Sequence, residues 1–235
     1  MKGLVRARLI KRYKRFLADV RLDSGEIITV YCPNTGSMKN CVEQGAEAWL
    51  SESNNSRRKY RFTWEYLKTS QGHFIGINSA TANQLVKSAI LGGHLEQLSN
   101  YRTVRPEVKY GQEGSRIDLL LQDIDLPDCY VEIKSVTLLE SPFAHGIGYF
   151  PDAVSERASR HIRELSKMSA GGARAVLLFC VQHTGIREVR PADHIDSGYG
   201  KQLRTAINEG LEVLAYKVRK SNNGFRLWRQ LRVVI

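Results

Sequence analysis

At about residue 80 the hydrophobic period of the chain changes, and that change limits what it can fold into. Before it, short β-branched or aromatic runs separated by polar turns predict strands at residues 4–10, 16–22, 27–31, 46–51 and 60–69. Five short strands suit a small barrel of the oligonucleotide-binding (OB-like) type. After it, Leu85, Val86, Ala89 and Ile90 fall at helical spacing, with Ser79 or Thr81 as the cap and Gly92-Gly93 as the stop. Helices and strands then alternate. Strands are predicted at 104–110, 116–121, 130–138 and 175–181, with helices at 152–168 and 200–208. A closing hairpin of 211–218 and 225–235 turns through Asn222-Asn223-Gly224. The expected helix at 152–168 starts at Asp152 and buries Val154, Ala158, Ile162, Leu165 and Met168. The reading is an α+β chain of two domains, a barrel over 1–79 and a mixed α/β domain over 80–235. No low-complexity linker separates them, so close packing is expected.

Composition narrows the class. The chain carries a net charge of +11, which favours a polyanionic partner. No apolar run reaches the roughly 20 residues of a membrane-spanning helix, and the basic N-terminus lacks an apolar signal core. A cytoplasmic location is expected, with no membrane partner. The four cysteines, Cys32, Cys41, Cys129 and Cys180, show no C-x-x-C spacing, and free thiols are the expectation. The histidines show no ligand spacing.

Chemistry concentrates in Ser115-Arg116-Ile117-Asp118 and Val131-Glu132-Ile133-Lys134. Alternate residues of a strand share a face, so Glu132 and Lys134 point one way. Asp118, on the preceding strand, is expected beside Glu132. Two carboxylates and an ammonium at one point suit phosphodiester cleavage. Asp118 and Glu132 would hold Mg²⁺, with Mn²⁺ as a substitute, and Lys134 would offset charge in the transition state. Glu107, in the strand before the hairpin, is a further catalytic candidate. E-x-K by itself is a weak pattern, met most often as a surface ion pair on a solvated strand.

Cations interleaved with aromatics mark a nucleic-acid surface. Lys11, Arg12, Lys14 and Arg15 surround Tyr13; Arg57, Arg58, Lys59 and Arg61 surround Tyr60 and lie close to Trp64. A barrel can bring both runs to one side. Arg116 is a further phosphate-binding candidate. Arg157, Arg160, His161, Glu164 and Lys167 are expected opposite the apolar stripe of their helix. Residues 141–148 are expected as a flexible loop beside the carboxylates.

The strings KRYKRFLADV at 11–20, CPNTGSM at 32–38, EVKYG at 107–111, SRID at 115–118 and YFPDAV at 149–154 resemble the sugar fermentation stimulation protein A family over essentially the whole chain. Departures are Tyr31 in place of a histidine, Ala158 in place of a glycine, and Gln182–Gly185 in place of a more charged segment. The resemblance implies an OB-like barrel followed by a domain similar to the PD-(D/E)XK nucleases. It further implies non-specific DNA binding and a regulatory link to maltose metabolism. In the nuclease-like pattern Asp118 corresponds to the metal-binding aspartate, and Glu132 and Lys134 to the E-x-K pair, with Glu107 a looser match. Three readings stand open on the sequence: a two-domain DNA-binding protein, an active Mg²⁺-dependent nuclease, and a binding module that keeps the nuclease architecture for regulation, with a protein partner or a small ligand.

Overall fold

A computed structural model describes residues 3–221 and 224–235. The first strands are β1 (Val5–Tyr13), β2 (Leu17–Leu22), β3 (Ile27–Tyr31), β4 (Glu47–Glu52), β5 (Phe62–Lys68) and β6 (Phe74–Gly76). They line up as β3-β2-β1-β4-β5-β6, and a parallel contact of Tyr31 with Thr63 joins β3 to β5. That contact closes five strands into the expected barrel. Its core is Ala7, Leu9, Val20, Val30, Leu50, Trp64 and Leu67, all buried. The three-residue β6 is too short to carry a period, and sequence reading missed it. The first strand is longer than predicted and carries Lys11, Arg12 and Tyr13 within its pairing to β2.

The second part contains α1 (Thr81–Leu91), β7 (Thr103–Tyr110), β8 (Ser115–Gln122), β9 (Cys129–Val136), β10 (Leu138–Leu139) and β11 (Ile147–Phe150). After these come α2 (Glu156–Ala170), β12 (Arg174–Val181), β13 (Glu188–Pro191), α3 (Ser197–Asn208), β14 (Glu212–Ser221), β15 (Gly224–Gln230) and β16 (Arg232–Val233). The main sheet runs β15-β14-β12-β9-β8-β7, with β9, β12 and β14 parallel. Strand β12 lies in its middle, buried on both faces, as its unbroken apolar run requires. Helix α1 covers one face through Val86, Ala89 and Ile90. Helices α2 and α3 cover the other through Ile162, Leu165, Tyr199 and Leu203. A smaller sheet, β10-β11-β13-β16, packs beside them.

Several predicted boundaries move for identifiable reasons. The strand expected over 130–138 ends at Val136, and Leu138–Leu139 joins the smaller sheet instead. Helix α2 begins four residues late. Ser155, whose side chain accepts from the Ala158 N–H, caps it, and Val154 is exposed. Asp152 is not the cap because its carboxylate is spent elsewhere: it accepts from the Ser37 hydroxyl at 3.1 Å and the Met38 N–H at 3.2 Å, tying the barrel to the second domain. Helix α1 has no side-chain cap, because the Ser79 hydroxyl donates to the Pro33 carbonyl and the Thr81 hydroxyl to that of Asn78. Of the predicted closing turn, Asn222 and Asn223 lie outside the described residues. All four cysteines are buried free thiols. Among the described residues no helix is long and apolar enough to cross a membrane.

Candidate functional site

Antiparallel pairing of β8 with β9 covers Leu119–Leu121 and stops at Leu119↔Val131. The next pair would be Asp118 and Glu132, and there the strands part. The Asp118 carboxylate fills the gap: one oxygen accepts from the Ile133 N–H at 2.7 Å, and the other from the Asn83 amide of α1 at 2.7 Å. A side chain thus replaces a rung of the ladder and is pinned between a helix and a strand.

Glu132 faces α2 and is 2 % exposed. Its Oε1 receives Lys134 Nζ at 2.7 Å and, very closely, His161 Nδ1. An ionised carboxylate only accepts, so the His161 proton sits on Nδ1 in this contact. Glu132 Oε2 is buried with no hydrogen-bond partner. Tyr110 Oη, Arg160 Nε and Glu164 Oε2 are likewise buried and unpartnered. These groups share one field: burial raises the Tyr110 phenol far above its ordinary value, and the charges of Glu132, Glu164 and Asp118 raise it further.

The two carboxylates titrate apart. Burial, then the charge of Glu132, pushes Asp118 up to about 6 against the bonds from Ile133 and Asn83. Burial also works to raise Glu132, but the His161 bond and the Lys134 charge outweigh it and hold its carboxyl below the usual value. Glu132 is therefore the standing anion and Asp118 the adjustable one.

The chemistry of these side chains is that of ligands to a hard divalent cation. A buried carboxylate oxygen without a partner, beside a second carboxylate whose ionisation is disfavoured, is a donor pair that a cation would satisfy. Asp118 and Glu132 are the residues that could hold it. Among the described residues no group of three His, Cys, Asp or Glu side chains forms a ready cage. Two carboxylates alone suit Mg²⁺, which keeps several waters and takes further oxygens from a phosphate.

The other predicted residues divide. Glu107 falls in register opposite Asp118, between the pairs Pro106↔Leu119 and Val108↔Ile117, but its φ is 55° and its side chain is exposed, away from the bonds that hold Asp118 and Glu132. Arg116, paired with Lys109, is exposed. His161 and Glu164 do not lie on a solvated helix face. Both are buried, and His161 is a principal partner of Glu132. Residues 141–148 lie against Arg187 and Gly185 rather than beside the carboxylates.

On the barrel, the partners Tyr13↔Leu17↔Tyr31↔Thr63 run across one end, so the turn bearing Lys14 and Arg15 and the segment bearing Arg58 gather there. Lys14 and Arg15 are exposed, at φ 49° and 62°. Phe16 beside them is 45 % exposed, an aromatic surface that the sequence reading did not single out. Arg58 packs over the Tyr31 ring, Lys59 over Tyr60, and Arg57 is exposed. Arg61 pairs with Glu52, and Lys11 with Asp19. Arg12 differs: its guanidinium donates to the carbonyls of Arg15, Asn34, Gly36 and Ser37, which makes it a strut for the loop after β3. Trp64 is fully buried in the barrel core and has no face for a base.

Comparison with known proteins agrees with this architecture. The family pattern described as "SfsA N-terminal OB domain" matches residues 10–77, and that described as "Sugar fermentation stimulation protein RE domain" matches residues 80–224. The chain belongs to the sugar fermentation stimulation protein (SfsA) family. Among its SfsA relatives, the sugar fermentation stimulation protein homolog of Shewanella pealeana is 52 % identical over 93 % of this chain and 92 % of its own. The homolog of Pseudoalteromonas atlantica is 50 % identical over 99 % and 98 %. The solved structure of Pyrococcus furiosus SfsA in complex with Ca²⁺ superposes with a TM-score of 0.88 at 23 % identity, covering 100 % of this chain and 97 % of that one, a likeness of fold.

Proposed function

We propose that this protein is a cytoplasmic, sequence-non-specific DNA-binding protein whose second domain is a Mg²⁺-dependent phosphodiesterase site. The observation that carries the reading is the buried Glu132, paired with Lys134 and left with one unpartnered oxygen, close enough to Asp118 to raise its pKa. The complex of the archaeal relative with Ca²⁺, another hard oxygen-seeking cation, supports it. Asp118 and Glu132 are the metal-holding residues. A bound divalent ion would lower the pKa of a coordinated water and draw charge from a phosphate. Lys134 is placed to offset charge as the phosphodiester gains an attacking oxygen. His161 acts on Glu132, fixing the direction of its carboxylate. The exposed cations Lys14, Arg15, Arg57 and Lys59 at one end of the barrel, with the half-buried Arg58 beside them, supply sequence-independent contact with phosphates, and Phe16 a surface on which a base can stack. A regulatory role in sugar metabolism rests on the family name and on no residue described above.

The test uses plasmid and single-stranded DNA with Mg²⁺, Mn²⁺ or chelator. It compares wild type with Asp118→Ala and Lys134→Ala, alongside calorimetric titration with Ca²⁺. Metal-dependent cleavage is expected to fall about a hundredfold or more in both variants, and Ca²⁺ heat to vanish in the aspartate variant. Cleavage that persists in both variants would exclude this site. DNA binding that shows no cleavage under any metal would leave the regulatory reading.

A further inference from the structure

At the seam between the barrel and the second domain lies an open cleft of about 440 Å³ lined in part by Gln71, His73, Thr184, Arg187, Lys217 and Arg229. It sits at the carboxyl end of the parallel strands: Val136, Val181 and Lys217 are neighbours across β9, β12 and β14. Open α/β sheets bind small ligands at that end. Lys217 pairs across β14 and β15 with Arg229.

Lys217 is the unusual member. It is only 6 % exposed, and among the described residues its ammonium makes no ion pair or hydrogen bond. Its stem is buried while its ammonium, which is not among the sealed-off polar atoms, reaches the cleft, so the charge is aimed at whatever enters there. Burial first, then the charges of Arg229 and Arg187, pulls it down to about 8. No carboxylate lines the cleft, so three cations converge without a protein counter-charge.

We propose that this cleft binds a small dianion of the phosphate-monoester class, with Lys217 at its floor and Arg187 and Arg229 at its rim. Three cations match a dianion better than the single charge of a phosphodiester. A recessed ammonium suits a terminal phosphoryl group, whereas a polymer backbone lies along a surface. The cleft falls within the size range of small-molecule sites, so the phosphoryl group carries an organic substituent. The site lies apart from Asp118 and Glu132 and does not depend on their role.

Calorimetric titration and thermal melting with inorganic phosphate, with ribose 5-phosphate and with an oligonucleotide lacking terminal phosphates test the proposal. Both phosphates should bind the wild type at one site and raise its Tm. Lys217→Met should weaken them about tenfold or more, and Arg229→Gln, at an exposed position, severalfold. Without anion, Lys217→Met should melt at or above the wild-type temperature, since it relieves the crowding of its partly desolvated charge by Arg187 and Arg229. The proposal is overturned if neither phosphate binds at about 10 mM, a very weak affinity. It is equally overturned if Lys217→Met leaves phosphate affinity unchanged, or if only the oligonucleotide responds to that variant.

Discussion

Asp118 and Ile133 are joined by a carboxylate oxygen accepting a backbone N–H at 2.7 Å, where the strand ladder would otherwise have placed a carbonyl. One side chain is therefore both part of the sheet and part of the candidate metal site. Replacing it by alanine leaves a buried N–H without an acceptor, at a cost of about 1–3 kcal/mol. Asp118→Asn keeps a carbonyl oxygen for Ile133, turns an NH2 toward Asn83, whose amide can flip to accept it, and removes a carboxyl that burial disfavours when charged. Urea unfolding at pH 7 should rank Asp118→Asn at or above wild type, and Asp118→Ala below both. The folded carboxyl titrates near 6 and an unfolded one near about 3.9, so the folded state holds the proton more tightly. Wild type should lose stability relative to Asp118→Asn as pH rises from about 4 to about 6. A wild type that gains on Asp118→Asn over that range would contradict the assignment.

His183 sets an opposite slope. Burial, then the charges of His73 and Lys217, lowers its pKa to about 3, and its Nδ1 accepts from the Gly185 N–H at 3.0 Å. An unfolded histidine takes a proton near about 6.5, so below that pH the unfolded state binds more protons. Stability should fall by up to about 1.4 kcal/mol per pH unit between about 6.5 and about 3. His183→Asn keeps an acceptor near Nδ1 and should flatten that decline in unfolding curves taken from pH 7 to pH 4.5. An unchanged slope would assign the acid sensitivity elsewhere.

Arg12 and Lys14 are neighbours in sequence with different tasks. Arg12→Ala removes donors from four carbonyls and should lower Tm, with DNA affinity changed little once folding is allowed for. Lys14→Ala and Arg15→Ala should leave Tm within about a degree, in keeping with exposed substitutions of under about 0.5 kcal/mol. They should each reduce the slope of log affinity against log salt by about 0.7–0.9. Fluorescence anisotropy across a salt series separates the two outcomes. A salt slope unaffected by either exposed cation would remove the barrel end from the binding surface.

Gly111 has φ of 67°, and a Cβ placed on it would come within 2.1 Å of Glu164 Oε1. That oxygen accepts from the Glu113 N–H at 2.7 Å, so it is already committed. Gly111→Ala should destabilise by about 2 kcal/mol or more, through left-handed strain and displacement of a buried carboxylate together. Equilibrium denaturation measures it, and a neutral result would mean that Glu164 swings away freely.

The fold was legible in sequence wherever a period ran long enough to be counted. The buried run of β12 and the strands of the barrel are examples. Of the site, Asp118, Glu132 and Lys134 were legible because E-x-K and the preceding aspartate are local patterns on strands. His161 was missed because the helix was read by residue type. Its spacing did carry the signal: positions 158, 161, 162 and 165 follow i, i+3, i+4, i+7, so His161 falls on the apolar stripe. A polar residue on such a stripe calls for a buried partner, and Glu132 is that partner. Arg12 and Trp64 were misassigned because a dense run of cations and rings says nothing of which side chains the barrel turns inward. Asp152 was misassigned as a cap because its true partners, Ser37 and Met38, lie more than a hundred residues away.

The loop from Cys32 to Met38 is gripped from both sides, by the guanidinium of Arg12 and by the carboxylate of Asp152. Across the same seam the Asn40 amide donates to the Leu139 carbonyl, and Lys39 pairs with Glu140. Such lacing removes the hinge that two lobes on a tether would have. The two halves are therefore expected to unfold as one unit, with whatever one of them grasps held at a set distance from the other.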